Sequence, residues 1–360
     1  MFPDDVTEEN RNIPLLLTLD TGDDLVAYPL GMKVKTGDED GWVKWREGLV
    51  QAIGGSDFAS FAGSGYITPN KAMRYYLGLE ERPKPNRFAQ SAIDHGIKFE
   101  RHAKQIIRAE ANYIFSVVEP EELWQKEEVS YGYLLVSKQY GLTLEFCITP
   151  DMISTREAEI IEIKCPFYGN DQFDDPHEFR EWYLRKHGES GTTAHFLQAA
   201  LYAYLTRDFD DGPTTLRPYA PFTVCRCFVC KEELLYCDYL VFDFTPEVRQ
   251  CIADVIFNIM EYLKNSGKKS RFTVPLSLRN RIDAAKTSSY KCAFTSMDVW
   301  FLDISGGMIR LSDLMSTDEL EQFTGPYALM PNKTEYIIKS MQKLEQEQPP
   351  RPTMEKTCQQ

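Results

Sequence analysis

Apolar residues recur along this chain with two periods, and the elements follow from where each period holds. Residues 12–19 and 25–34 read as two strands separated by Asp20-Thr21-Gly22-Asp23-Asp24, an added element packed on a core that begins further on. Residues 42–46 read as a short helix. Thr68-Pro69 starts another, whose apolar face is Ala72, Met73, Tyr76 and Leu77. After a loop containing Pro83 and Pro85, a long helix over 87–111 should bury Ile93, Ile97, Ala103, Ile106 and Ile107. Residues 113–151 alternate as a strand meander, and 168–193 read as a polar loop. The stretch 194–206 is apolar nearly all round, which marks a buried helix; its polar exception, Gln198, needs a hydrogen-bond partner. Two strands follow over 222–230 and 234–244. Pro246 then starts a helix that ends at Lys264-Asn265-Ser266-Gly267. Residues 272–340 mix a strand-like piece (299–304) with a helical one (317–323). The tail 342–360, rich in Gln, Glu and Pro, reads as disordered.

One stretch breaks the apolar rule where it matters. Ile160 to Phe167 reads as a strand of β-branched and aromatic residues, entered by a polar turn at Thr155, Arg156 and Glu157 from Thr149-Pro150-Asp151-Met152-Ile153. Strand alternation puts Glu162 and Lys164 on one face, and Ile161, Ile163 and Cys165 on the other. A hairpin of this length can set Asp151 opposite Glu162. Two carboxylates about 4 Å apart repel by roughly 4 kcal/mol at an effective dielectric near 20. One lysine offsets part of that. A divalent cation with hard oxygen ligands offsets the rest, and Mg2+ accepts one or two carboxylates, waters and a phosphate. The plainer alternative is an edge strand with a solvated Glu-Lys face.

Further along, Ile53-Gly54-Gly55-Ser56 enters a helix, where free backbone N–H groups favour an anion. The alternative is an N-cap serine with Arg46 as a surface cation. Cys225, Cys227, Cys230 and Cys237 cluster in sequence, but Cys230 falls on the opposite strand face from Cys225 and Cys227. They read as small buried hydrophobes rather than a metal chelate. His177, His187 and His195 lack zinc-site spacing and read as surface residues or as neighbours of the site.

Composition changes the picture in two ways. The net charge of −14 argues against a general nucleic-acid coat but leaves room for a local basic channel. Nine irregularly spaced cysteines, an odd number, and a start (Met1-Phe2-Pro3-Asp4-Asp5) without a signal-peptide pattern suggest an intracellular protein that is not secreted. No apolar run is long enough to span a membrane.

Pro150-Asp151 followed by Glu162-Ile163-Lys164 resembles the signature of the PD-(D/E)xK nucleases. With Thr149 before it and Cys165-Pro166-Phe167 after it, the string is similar to the lambda-exonuclease, or YqaJ-type viral recombinase, branch. The likeness extends in order over residues 42–265. It takes in Trp42-x-x-x-Arg46, the Gly55-Ser56 helix start, Gly96-x-x-x-Glu100-x-x-Ala103 and Gln198-x-x-x-Tyr202.

The resemblance implies an α/β fold with a restriction-endonuclease-like core, a central mixed β-sheet flanked by helices. That core would span 42–265, with extensions over 1–41 and 266–341 and a tail over 342–360. It implies Mg2+ or Mn2+, one or two ions, on Asp151, Glu162, the Ile163 backbone carbonyl and Glu100. Lys164 would position the attacking water, Gln198 would support the site, and Arg46 and Ser56 would hold a 5′ phosphate. The implied activity is 5′→3′ exonuclease action on double-stranded DNA with free ends, in viral recombination or replication, with a single-strand-annealing protein as a second partner. Plain surface or core roles for Glu100 and Gln198 stay open. So do an endonuclease or RNA-degrading activity, and a catalytically idle nucleic-acid-binding or scaffold protein. The extensions favour a monomer or small oligomer over a ring.

Overall fold

The computed structural model describes residues 19–20, 25–34, 39–49, 52–115, 128–153, 159–168, 173–206, 221–265, 271–303 and 306–314. In chain order its elements are β1 (Leu19–Asp20), β2 (Leu25–Val34), α1 (Glu39–Gly48), β3 (Ile53–Gly54), α2 (Gly55–Phe61), α3 (Pro69–Tyr76) and α4 (Arg87–Phe115). Then come β4 (Val129–Ser137), β5 (Leu142–Ile148), β6 (Met152–Ile153), β7 (Ile160–Lys164), α5 (Pro176–His187), α6 (Thr193–Thr206), β8 (Phe222–Cys230) and β9 (Leu234–Phe242). The chain continues through α7 (Pro246–Asn265), α8 (Leu276–Ser289), β10 (Tyr290–Thr295), β11 (Trp300–Leu302), β12 (Met308–Arg310) and α9 (Leu311–Leu314).

The architecture is mixed α/β: two mixed sheets with helices packed on them. One sheet has the order β1-β2-β4-β5-β3. The other runs β12-β11-β9-β8-β7-β6, with β10 also paired to β9. The chain passes from the first sheet to the second at Thr149-Pro150-Asp151, between β5 and β6. β6 pairs antiparallel with β7, Met152 against Ile161, so the next position sets Asp151 opposite Glu162, the hairpin expected from the sequence. β7 pairs parallel with β8, and β8 antiparallel with β9. Every residue of β8 and β9 is buried, as strands covered on both faces must be.

The two faces of the second sheet have different chemistry. Ile161, Ile163, Cys225, Cys227 and Cys237 pack with Phe99, Ala103, Ile106 and Ile107 of α4. Ile160, Phe222, Val224 and Leu240 face the other way and pack with α6. Cys230 lies apart, with Phe179 and Tyr183 of α5. The cysteines therefore divide between faces as their spacing indicated. Among the described residues no group of three or more His, Cys, Asp or Glu side chains is arranged to hold a metal ion. No described helix is long and apolar enough to cross a membrane.

Several expectations need correction. Ile93 and Ile97 are exposed; only Ala103, Ile106 and Ile107 of the expected stripe are buried, because α4 lies on the sheet only from Phe99 onward. That helix runs to Phe115, which removes 113–115 from the meander. The segment 176–187 is a helix, α5, not a loop. Asp175 caps it by accepting a hydrogen bond from the His177 backbone N–H at 2.9 Å, Pro176 takes a first-turn position, and Phe179 and Tyr183 supply a buried face. β2 is a full member of the first sheet, paired along its length with β4, and β10 and β11 extend the second at β9. Residues 41 and 265 are thus not boundaries of either sheet. The expectations for 12–18, 317–323 and the tail 342–360 lie outside the described residues.

A buried carboxyl ties the C-terminal strands to α4. Glu110 accepts hydrogen bonds from Trp300 Nε1 (3.0 Å), Tyr239 OH (3.0 Å) and Ser296 Oγ (3.1 Å). Glu110→Ala leaves three buried donors without an acceptor, and we expect a loss of about 2–4 kcal/mol in chemical denaturation. Burial pushes the Glu110 pKa above the ordinary carboxylate value, with the three hydrogen bonds opposing. The folded state therefore holds this proton more tightly than the unfolded chain. Its contribution to stability is greatest below the unfolded pKa and falls as pH rises through the folded one. Denaturation midpoints of wild type and Glu110→Gln across acidic to neutral pH check this: the variant should lose less stability over that range.

Candidate functional site

Glu162 sits in the middle of β7 on the face covered by α6, and its carboxylate is 1% exposed. Gln198 Nε2 donates to Glu162 Oε1 at 2.5 Å and is 3.0 Å from the Tyr202 hydroxyl. Lys164 Nζ, two residues along the same face, donates to the same oxygen. Glu162 Oε2 is buried and has no hydrogen-bond partner among the described residues. Gln198 is explained by this contact: on a helix buried nearly all round, its amide meets the one carboxylate on the facing strand.

Asp151 completes the pair. Its Oδ2 accepts the Ile163 backbone N–H at 2.6 Å. In a strand the N–H and C=O of one residue point to the same edge, so the Ile163 carbonyl is directed to the Asp151 side. Burial, and then the charges of Glu162 and Glu100, raise the Asp151 pKa well above its ordinary value. Burial also raises that of Glu162, against the pull of Lys164. Burial opposes the charge on Lys164, but Glu162 and Asp151 outweigh it and raise its pKa, so the side chain stays an ammonium. About a quarter of Lys164 remains open to solvent.

Glu100 reaches this group from α4, and its charge is felt by both Asp151 and Glu162. Its carboxylate is bound at 2.6 Å by Lys104, which also binds Glu128 at 3.0 Å. Lys104 was missed from the sequence, although its position four residues after Glu100 on one helix face was the available signal. Burial works against its charge, while Glu100 and Asp151 raise its pKa. Glu100 is thus near enough for its charge to act on both carboxyls, but it is paired with a lysine, and among the described residues it forms no metal-holding group with Asp151 and Glu162.

Gly55, at the start of α2, packs so closely on Tyr202 that a Cβ there would stand 2.3 Å from the ring. β3 lies beside β5, Gly54 against Cys147, which brings this turn near Asp151. Ser56 is exposed one residue inside the helix and is not its N-cap, which is Gly54. Asp57 in the same turn binds Arg82 at 2.5 Å. Arg46, exposed on α1, reaches the Cys147 thiol, and its charge is felt at the Tyr202 hydroxyl. The structure therefore gathers Asp151, Glu162, Lys164, Glu100 and Gln198 into one cluster. Arg46 reaches Cys147 and acts on Tyr202 by its charge, and Ser56 is exposed next to Gly55, which packs on Tyr202.

Of the two roles left open for His195, surface residue or neighbour of the site, the structure gives the second. It lies one turn before Gln198 on α6. Burial, with the charges of Lys164 and Arg226, holds its pKa down to about 3, so its ring is neutral. Tyr66, 86% exposed, lies close enough to influence Lys164.

Comparison with protein-family models, curated proteins and solved structures gives no match.

The strain in the carboxylate pair has a measurable consequence. Asp151→Asn keeps an acceptor for the Ile163 N–H but removes one of two adjacent negative charges. In the presence of EDTA at pH 8, the variant should melt higher than wild type, by about 1 kcal/mol or more. A lower melting point would mean that the Asp151 charge is already compensated by Lys104 and Lys164.

Proposed function

We propose that this protein is a metal-dependent phosphodiester hydrolase acting on nucleic acid, with linear duplex DNA as the preferred substrate. One observation carries the reading. Glu162 is buried with one oxygen fixed by Lys164 and Gln198, its other oxygen has no partner among the described residues, and the hairpin register sets Asp151 opposite it. A buried carboxylate pair with raised pKa values and an orphaned oxygen is poorly satisfied by protein alone.

The donor set fits a hard divalent cation. Asp151, Glu162 and the Ile163 carbonyl would hold Mg2+ or Mn2+, all through oxygen, with the remaining positions left for water and phosphate oxygens. Such an ion polarises a phosphoryl oxygen and lowers the pKa of bound water. Glu100, bound by Lys104, contributes negative charge to the site.

The residues of the chain divide the remaining work. Gln198 fixes the rotamer of Glu162 and is itself positioned beside Tyr202. Lys164 keeps its proton, so it serves as a fixed cation and not as a base. It stabilises negative charge developing on a phosphoryl oxygen and orients the attacking water. Arg46 offers a planar guanidinium for a terminal phosphate, a grip a lysine does not reproduce.

Asp151→Ala, Glu162→Ala and Lys164→Ala should each reduce hydrolysis by about 100-fold or more while leaving the fold intact by circular dichroism. Full activity of Glu162→Ala, or of wild type in EDTA, would overturn the assignment. Incubation with linear duplex, closed circular duplex and RNA separates an exonuclease from an endonuclease or ribonuclease.

End recognition gives a second test. Duplexes carrying a 5′ phosphate should be degraded faster than those carrying a 5′ hydroxyl. Arg46→Ala, and nearly as much Arg46→Lys, should erase the difference. Equal wild-type rates on the two ends would reduce Arg46 to a general backbone contact.

A further inference from the structure

Lys164, Arg226 and Asp238 stand in one row across β7, β8 and β9. Lys164 is in register with Arg226, and Arg226 with Asp238. All three share the face that carries Glu162. Asp238 is fully buried and accepts Arg226 Nε at 2.7 Å, Arg226 Nη2 at 2.5 Å and Arg180 Nε at 3.1 Å. This uses one edge of the Arg226 guanidinium. The third nitrogen, Nη1, is buried without a hydrogen-bond partner among the described residues, on a residue only 1% exposed.

A guanidinium N–H donates and never accepts, so Nη1 requires an acceptor. Arg226 lines a cavity of about 460 Å³ together with Arg180, Arg185, Glu181, Glu189 and Tyr290. Glu181 is held by Arg180 at 2.9 Å. Three guanidinium groups thus face two carboxylates, and the Asp238 charge behind the wall is spent on Arg226 and Arg180. His195, on which the Arg226 charge acts, also has a buried Nδ1 without a partner among the described residues.

We propose that this cavity is an anion site for a phosphate group, held by Arg226 Nη1 with Arg180 and Arg185 at its rim. A volume of this size takes a nucleotide-sized ligand. Its place, one strand over from Lys164 on the same face, suits a phosphate of a nucleotide strand lying across β7 and β8. The site is a binding site in its own right and does not depend on the carboxylate pair hydrolysing anything.

Isothermal titration in EDTA and low salt tests it, with inorganic phosphate in the millimolar range as the first probe. A short 5′-phosphorylated single-stranded oligonucleotide is the second. Arg185 and Glu189 are exposed, so their replacement should not disturb folding. Arg185→Ala should weaken phosphate binding about tenfold. Glu189→Gln should tighten it, because one opposing charge is removed. Arg226→Lys should abolish it, with circular dichroism reporting whether the fold survives; if it does not, the two surface variants decide. Competition between the oligonucleotide and phosphate assigns the site to a strand, and its absence assigns it to a free phosphate compound. No measurable phosphate binding by wild type, or binding unchanged in both Arg185→Ala and Glu189→Gln, would overturn the proposal.

Discussion

Burying the Glu162 carboxylate is the constraint around which the second sheet is built. A charge there survives only if neighbours supply donors or opposite charge. Lys164 and Gln198 do so at one oxygen, from the same strand and from the facing helix. α6 can be apolar nearly all round because Gln198 meets this one polar demand. Tyr202 adds the next link, and Gly55 is needed because its missing side chain makes room for the Tyr202 ring. A chain of contacts thus runs from β7 through α6 to the start of α2 and then toward Arg46.

The passage between the sheets has the same logic. Asp151 lies where β5 gives way to β6, and its carboxylate takes a backbone N–H of β7. One side chain therefore fastens the crossing point to the strand that bears Glu162. Burial is the first reason both carboxyls are pushed toward protonation; the Glu162 charge adds to it at Asp151, and the Glu100 charge adds to it at both. Lys104 and Lys164 moderate this from opposite faces of the sheet, one from α4 and one from β7 itself.

Charge on the inner face is concentrated in the row Lys164–Arg226–Asp238, while the opposite face is apolar and sulfur-rich. A chain with a net charge of −14 can in this way carry a local concentration of cations. Long-range repulsion of an anionic ligand by the acidic surface is screened by salt, whereas buried guanidinium groups are screened much less.

Local pattern determined a good deal of this protein. Strand alternation alone placed Glu162 and Lys164 on one face, set Asp151 opposite in a hairpin, and divided the cysteines correctly. A nearly uniform apolar run marked α6 as buried and singled out Gln198. These inferences hold because period and polarity are properties of neighbouring residues. Tertiary structure decided the rest. The exposure of Ile93 and Ile97 depends on where α4 leaves the sheet, which its own periodicity does not encode. The placement of β2, β10 and β11 as full sheet members depends on pairing with strands about a hundred residues away or on the far side of α7 and α8. The nitrogens of Arg226 and His195 that lack a partner among the described residues, and the second partner of Lys104, Glu128, arise only when separate elements close on one another. Desolvation and charge pairing act through space, so their partners cannot be read from the order of the chain.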